Sequence, residues 1–105
     1  MRKDQLLELL KESPNDVFLH YALGLEYLAE QEYQLAQECF ENVIKMDSNY
    51  LAAYYQLGML YFNLDNKEMA LDFLKKGLEI ARQKKSNKDI AEFNALITNI
   101  ENDLL

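Results

Sequence analysis

A second cysteine is missing from this 105-residue chain, as are a second histidine and a second proline, and glycine occurs only three times. A lone Cys39 cannot close an intrachain disulfide and gives no sign of an oxidising compartment, so the expected location is a reducing cytosol. One histidine and one cysteine cannot supply paired metal ligands or a nucleophile with its base, and no glycine-rich loop is available to cradle a phosphate. The expectation is a protein that is not an enzyme, with no catalytic, cofactor-binding or metal-binding residues and no cofactor. His20 then reads as a packing residue and Cys39 as a small apolar filler. Apolar runs are also short. None approaches the roughly 20 residues that span a bilayer, and the opening MRKDQLLELL lacks the apolar core and small-residue cleavage site of a signal peptide, so no membrane partner is expected.

Positive charge is scarce as well. The net charge is −7, and residues 1 to 50 hold ten acids against four bases. Phosphate binding depends on clustered lysine and arginine that release counterions, which makes nucleic acid an unsuitable partner. The one basic stretch, Lys75, Lys76, Arg82, Lys84, Lys85 and Lys88, reads as a solvated helix face and loop.

What the chain does have is helix-forming residues and a repeat. Half its positions are apolar, and no run alternates apolar with polar residues as a half-buried strand would. A single domain over 1–105 is expected. HYALGLEYL at 20–28 is followed 34 residues later by YYQLGMLYF at 54–62, pairing Leu23 with Leu57, Gly24 with Gly58, Tyr27 with Tyr61 and, further on, Ala36 with Ala70. Each 34-residue unit divides into two helical stretches of about fourteen residues, Val17 to Glu30 and Tyr33 to Met46 in the first copy. Polar turns lie at Gln31-Glu32, Asp47-Ser48-Asn49 and Asp65-Asn66. Helices joined by so short a turn pack antiparallel, and a glycine in such a helix marks the point where the axes approach most closely. Gly24 with Ala36, and Gly58 with Ala70, are the expected small residues at those crossings, enclosed by Tyr27 and Phe40 or by Tyr61 and Leu74.

The pattern resembles the tetratricopeptide repeat, a 34-residue helix-turn-helix unit. The first copy carries His20, Leu23, Gly24, Tyr27, Ala36, Phe40, Val43 and Ser48, and the second Tyr54, Leu57, Gly58, Tyr61, Ala70, Leu74, Gly77 and Arg82. Ser48 and Arg82 stand where the family usually has proline, whereas Pro14 fills that slot one unit earlier. The resemblance implies an all-α, right-handed superhelical stack of antiparallel helix pairs. Its parts would be an N-terminal half-repeat helix (1–14), two full repeats (17–50 and 51–84) and a C-terminal capping helix (86–105). The first helix would present Leu6, Leu9 and Leu10 to the next, and Ile90, Phe93, Ile97, Ile100 and Leu104 would form the capping helix's apolar stripe behind an N-cap at Ser86.

The resemblance also implies a function, protein–protein interaction on the concave face lined by the first helix of each unit. The residues it places there include Phe18, Tyr21, Leu25, Tyr55, Met59 and Phe62, with Leu28 and Ala52 beside them and Ala91, Asn94 and Thr98 on the capping helix. In register, Tyr21, Tyr55 and Met59 turn away from the crossing within their own pairs. The expected partner is a protein or peptide, apolar or amphipathic and basic in character; a homodimer, or a role within a longer scaffold, is the alternative. Family members that hold acidic chaperone tails carry Lys, Arg and Asn at positions matching Tyr21, Leu25, Gln56, Ala91 and Ala95, among which this chain has no cation.

Overall fold

The structure, a computed structural model, describes residues 2–103, and within them it contains six α-helices and no strand. These are α1 (Lys3–Glu12), α2 (Val17–Ala29), α3 (Tyr33–Met46), α4 (Leu51–Asn63), α5 (Lys67–Gln83) and α6 (Asn87–Glu101). The helical-repeat expectation is met, and the first pair falls within one residue of its expected bounds. α5 departs from expectation by running to 17 residues where α3 has 14. Where the first repeat has the turn formers Asp47-Ser48-Asn49, the second has Ala81-Arg82-Gln83, which favour helix, so α5 continues for another turn.

The turns that close α2, α4 and α5 share one backbone solution. Gln31, Asp65 and Lys85 have φ of 62°, 60° and 56°. The following amides then bond back to close each helix: Glu32 N–H to Tyr27 O at 2.9 Å, Asn66 N–H to Tyr61 O at 2.8 Å and Ser86 N–H to Ala81 O at 3.1 Å. This is the six-to-one bond of the Schellman motif, made here without glycine. Helix starts are capped by side-chain oxygens that accept backbone N–H groups: Asp16 from Leu19 at 3.3 Å, Asn66 from Met69 at 3.1 Å and Ser86 from Asp89 at 3.4 Å.

The chain forms two compact units that divide between Ala53 and Tyr54. In the first, α2 packs against both α3 and α1. A Cβ added to Gly24 would lie 2.6 Å from the Phe40 ring, so the absent side chain is what lets the ring reach the α2 backbone. Ala36, Phe40 and Val43 are fully buried, and Leu6, Leu19, Leu23 and Cys39 form a second cluster with Leu10, Ala22 and Tyr27 packed around it. The Lys3 ammonium meets Glu30 at 3.0 Å, which sets the start of α1 beside the end of α2 and makes the two antiparallel. Leu9 does not join Leu6 and Leu10 as expected and is 40% exposed. Leu6 and Leu10 are one turn apart on a single stripe, while Leu9 lies about 100° around the helix from Leu10.

In the second unit, a Cβ at Gly58 would overlap Cδ2 and Cγ of Leu74, the counterpart of Phe40. Tyr61 stacks on Phe73 with centroids 5.5 Å apart. Gly77 provides the second close approach, since a Cβ there would sit 2.5 Å from the Phe93 ring and 3.0 Å from Tyr54 Cβ; it opens α5 to α6. Phe93, Leu96, Ile97 and Ile100 are buried and Ile90 is half-buried, while Leu104 lies outside the described residues. Ile97, at the glycine's register position, fills space that glycine would leave open.

Candidate interaction faces

α2 and α4 have unusual sequences for helices that are not wholly enclosed. VFLHYALGLEYLA contains one acid and no lysine or arginine, and LAAYYQLGMLYFN contains no charged residue at all. The inward side of each is occupied: Leu19, Leu23 and Gly24 are buried on α2, as are Leu57, Gly58 and Leu60 on α4. An amphipathic helix would turn charge outward on its other side. Here Phe18 is 58% exposed, and Leu25 and its register equivalent Met59 are both 37% exposed.

Around these three, the remaining expected residues are half-buried. In the first unit the Tyr21 ring lies 5.6 Å from Phe40 and 5.2 Å from Tyr50. The first contact is to the partner helix of its own pair, so Tyr21 leans into the crossing it was expected to turn from. In the second unit Tyr55 meets Phe93 edge-on at 5.7 Å, and Phe62 is half-buried. Leu28 is also half-buried, whereas Ala52, Ala91, Asn94 and Thr98 are exposed. Each unit therefore pairs outward aliphatic or aromatic groups with tyrosines braced by a second ring, an arrangement suited to receiving apolar side chains.

Tyr50 was not legible as part of this arrangement. It lies between α3 and α4, and its position one repeat later is Lys84, so the 34-residue register gives it no echo. Its amide donates to Asp47 O at 3.1 Å, which brings the ring back over α2. Burial holds the Tyr50 hydroxyl above its ordinary range, with Tyr21, Asp47 and Asp16 adding to the effect.

The two side chains with latent chemistry are committed to structure. His20 Nε2 is 2.7 Å from the carbonyl oxygen of Pro14, to which it donates in the tautomer that fits, tying α2 to the preceding loop. Cys39 is buried, and burial together with Glu38 pushes its thiol up to about 11. Of the basic stretch, Lys75, Lys76 and Lys88 are spent in exposed pairs with Glu101, Asp72 and Glu92. No helix among the described residues is long and apolar enough to cross a membrane.

Two family models, each described as a tetratricopeptide repeat, match residues 17–50 and 51–84, the bounds read from the internal repetition. No curated protein matches the sequence. Among solved structures, a tetratricopeptide repeat domain protein from Salinibacter ruber is 35% identical over 85% of this chain and 90% of its own, with a TM-score of 0.80. The fold is shared more widely. A Bordetella parapertussis protein superposes with a TM-score of 0.86 at 16% identity, covering 98% of this chain and 90% of its own. The TPR2B domain of yeast Sti1, solved in a complex with pHsp70, reaches 0.87 at 15% identity over 96% and 81%. The matched repeats and the Salinibacter relative establish that this chain belongs to the tetratricopeptide-repeat family.

Proposed function

We propose that this is a non-enzymatic protein-interaction module whose α2 and α4 each receive apolar side chains of a protein or peptide partner. The observation that carries the reading is the outward side of these two helices, which lack lysine and arginine yet leave Phe18, Leu25 and Met59 open to solvent. A helix side that carries no lysine or arginine and exposes large apolar groups suits a surface that a partner covers. Tyrosine, phenylalanine and methionine are also the residues enriched where partners bind. The solved complex of the Sti1 domain supports a protein or peptide as the class of ligand. An acidic tail suits this chain poorly, because Tyr21, Leu25, Gln56, Ala91 and Ala95 offer it no cation. An amphipathic helix or an extended apolar peptide suits it better.

The test is affinity capture from a cell lysate with the native chain and the Leu25→Lys/Met59→Lys variant. Both positions are open enough to hold a lysine head group in water, so the variant keeps its helical circular dichroism and melting curve while losing the captured partner. Capture that survives in the variant refutes the assignment. Self-association is a second reading, favoured by Leu7 and Leu9, 39% and 40% exposed on α1. Light scattering across a concentration range decides it, and a constant monomer mass rules it out.

A further inference from the structure

The apolar side of α2 ends in charge of one sign. Asp16 caps α2 five residues before Tyr21, and Asp47 follows α3; the two helices are antiparallel, so these residues share one end of the pair. Tyr50 donates its amide N–H to Asp47 O at 3.1 Å, and its ring rests against Tyr21, centroids 5.2 Å apart, on the helix that Asp16 caps. Each accepts a backbone N–H: Asp16 Oδ1 from Leu19 at 3.3 Å and Asp47 Oδ1 from Asn49 at 3.0 Å. Among the described residues neither takes part in an ion pair. Lys3 is held by Glu30 at the other end of α2, Arg2 precedes it, and Lys11 is held by Glu8. Lys45, in the last turn of α3 two residues before Asp47, is exposed and about half a turn out of phase with buried Ala36, and it is paired with neither acid.

The repeat does not require these acids. One unit later the matching positions hold Tyr50, Ala81 and, for Tyr50 itself, Lys84, with no carboxylate among them. The acids are therefore a property of the first unit alone. A cation brought here would meet two carboxylates and the faces or edges of two tyrosine rings, a combination that favours lysine or arginine through charge-assisted hydrogen bonding and cation–π attraction. The wider surroundings agree in sign, with ten acids to four bases over residues 1 to 50.

We infer that the partner of the first unit is an amphipathic peptide segment that lays apolar side chains on Phe18 and Leu25 and sets a lysine or arginine against the Tyr21–Tyr50 pair within reach of Asp16 and Asp47. This rests on the apolar reading of α2 given above and adds the charge and position of one contact. It also orients the peptide, because the cation belongs at the end of α2 nearest its N-terminus.

The experiment is selection of a random 16-residue peptide library displayed on phage against the full chain, followed by fluorescence anisotropy with the most enriched peptide. The native chain is compared with Asp16→Asn/Asp47→Asn, in which both amide oxygens still accept the backbone N–H groups, and with Leu25→Lys. The expected result is enrichment of apolar residues at helical spacing beside a lysine or arginine. Binding should weaken roughly three- to tenfold in the double asparagine variant, the scale of one or two partly exposed ion pairs, and be lost in Leu25→Lys. Enriched peptides without a cation, or affinity unchanged by the asparagines, overturn the inference while leaving apolar docking intact. No enrichment, or binding indifferent to Leu25→Lys, overturns both.

Discussion

Replacing Gly58 with alanine sets two opposed effects against each other, and the structure says which prevails. In an ordinary helix the change is favourable by about 1 kcal/mol, because alanine has the higher helix propensity. At this position the new Cβ would overlap Cδ2 and Cγ of Leu74 and lie 3.0 Å from its Cδ1. The Leu74 side chain cannot simply swing aside, since it is fully buried and Cγ is its branch point, so α4 and α5 must separate or Leu74 must leave its rotamer. Overpacking of this kind costs about 1–3 kcal/mol. The net expectation is a loss of up to about 2 kcal/mol, or up to roughly 15 °C in Tm for a chain of this size. Urea denaturation followed by circular dichroism measures it. The sharper measurement repeats the substitution in a Leu74→Ala background, where the overlapping atoms are gone. There Gly58→Ala should be neutral or stabilising by up to about 1 kcal/mol, giving a coupling of about 1–3 kcal/mol between the two sites. A rise in Tm in the native background, or an equal loss in both, would refute the close approach of α4 to α5 on which the repeat register depends.

Three further outcomes are expected. Gln31→Gly removes the penalty for a side chain at φ 62° and should stabilise by about 0.5 kcal/mol, after allowance for the freer unfolded chain; a lowered urea midpoint would contradict the Schellman geometry. Ser86→Ala removes the cap on α6 and should cost about 1 kcal/mol, whereas Ser86→Asn should restore most of it. Equal midpoints for the two would show that the cap carries no weight. The Cys39 thiol, moved from 9.0 to about 11, keeps its proton in the folded protein after the unfolded chain has lost it. Its contribution to stability is therefore complete below pH 9 and declines between about pH 9 and 11. Comparing urea midpoints at pH 8 and pH 10.5 for the native chain and Cys39→Ala isolates that decline. Rapid native-state labelling by a thiol reagent at pH 8 would mean that the thiol is not shielded.

The helix pairs were legible because their determinants are local and periodic. Gly24 and Gly58 are the clearest case: a residue unfavourable in a helix recurs after 34 positions, and in both copies the structure sets a large buried side chain against it. Gly77 follows the same logic, but the copy before it has Val43, so repetition alone gave no hint that this glycine opens α5 to Phe93. The length of α5 could have been read from Ala81-Arg82-Gln83, because turn-forming side chains are missing there. Leu9 was misplaced for a geometric reason: the four leucines of residues 6–10 cover more arc than α2 buries, and Leu7 and Leu9 are left exposed.

The interaction faces were only partly legible, because exposure and ring packing depend on which neighbours arrive. The periodicity that places Tyr21 and Leu25 on one side of α2 cannot say that the tyrosine is braced by Phe40 and Tyr50 while the leucine stays open. That difference matters for binding. A braced ring loses little freedom when a partner settles on it, whereas Leu25 and Met59 must be ordered by the partner itself. Under the proposed reading, the braced tyrosines would set where a ligand sits, and the exposed aliphatic groups how many ligands fit. Tyr50 extends the point. It is invisible to the repeat, yet it braces Tyr21 and donates its amide to Asp47, at the end of the pair that Asp16 also caps; the second copy lacks both acids. The repeat accounts for an apolar helix in each unit, and under the proposed reading the residues that break it are where the first unit would tell one partner from another.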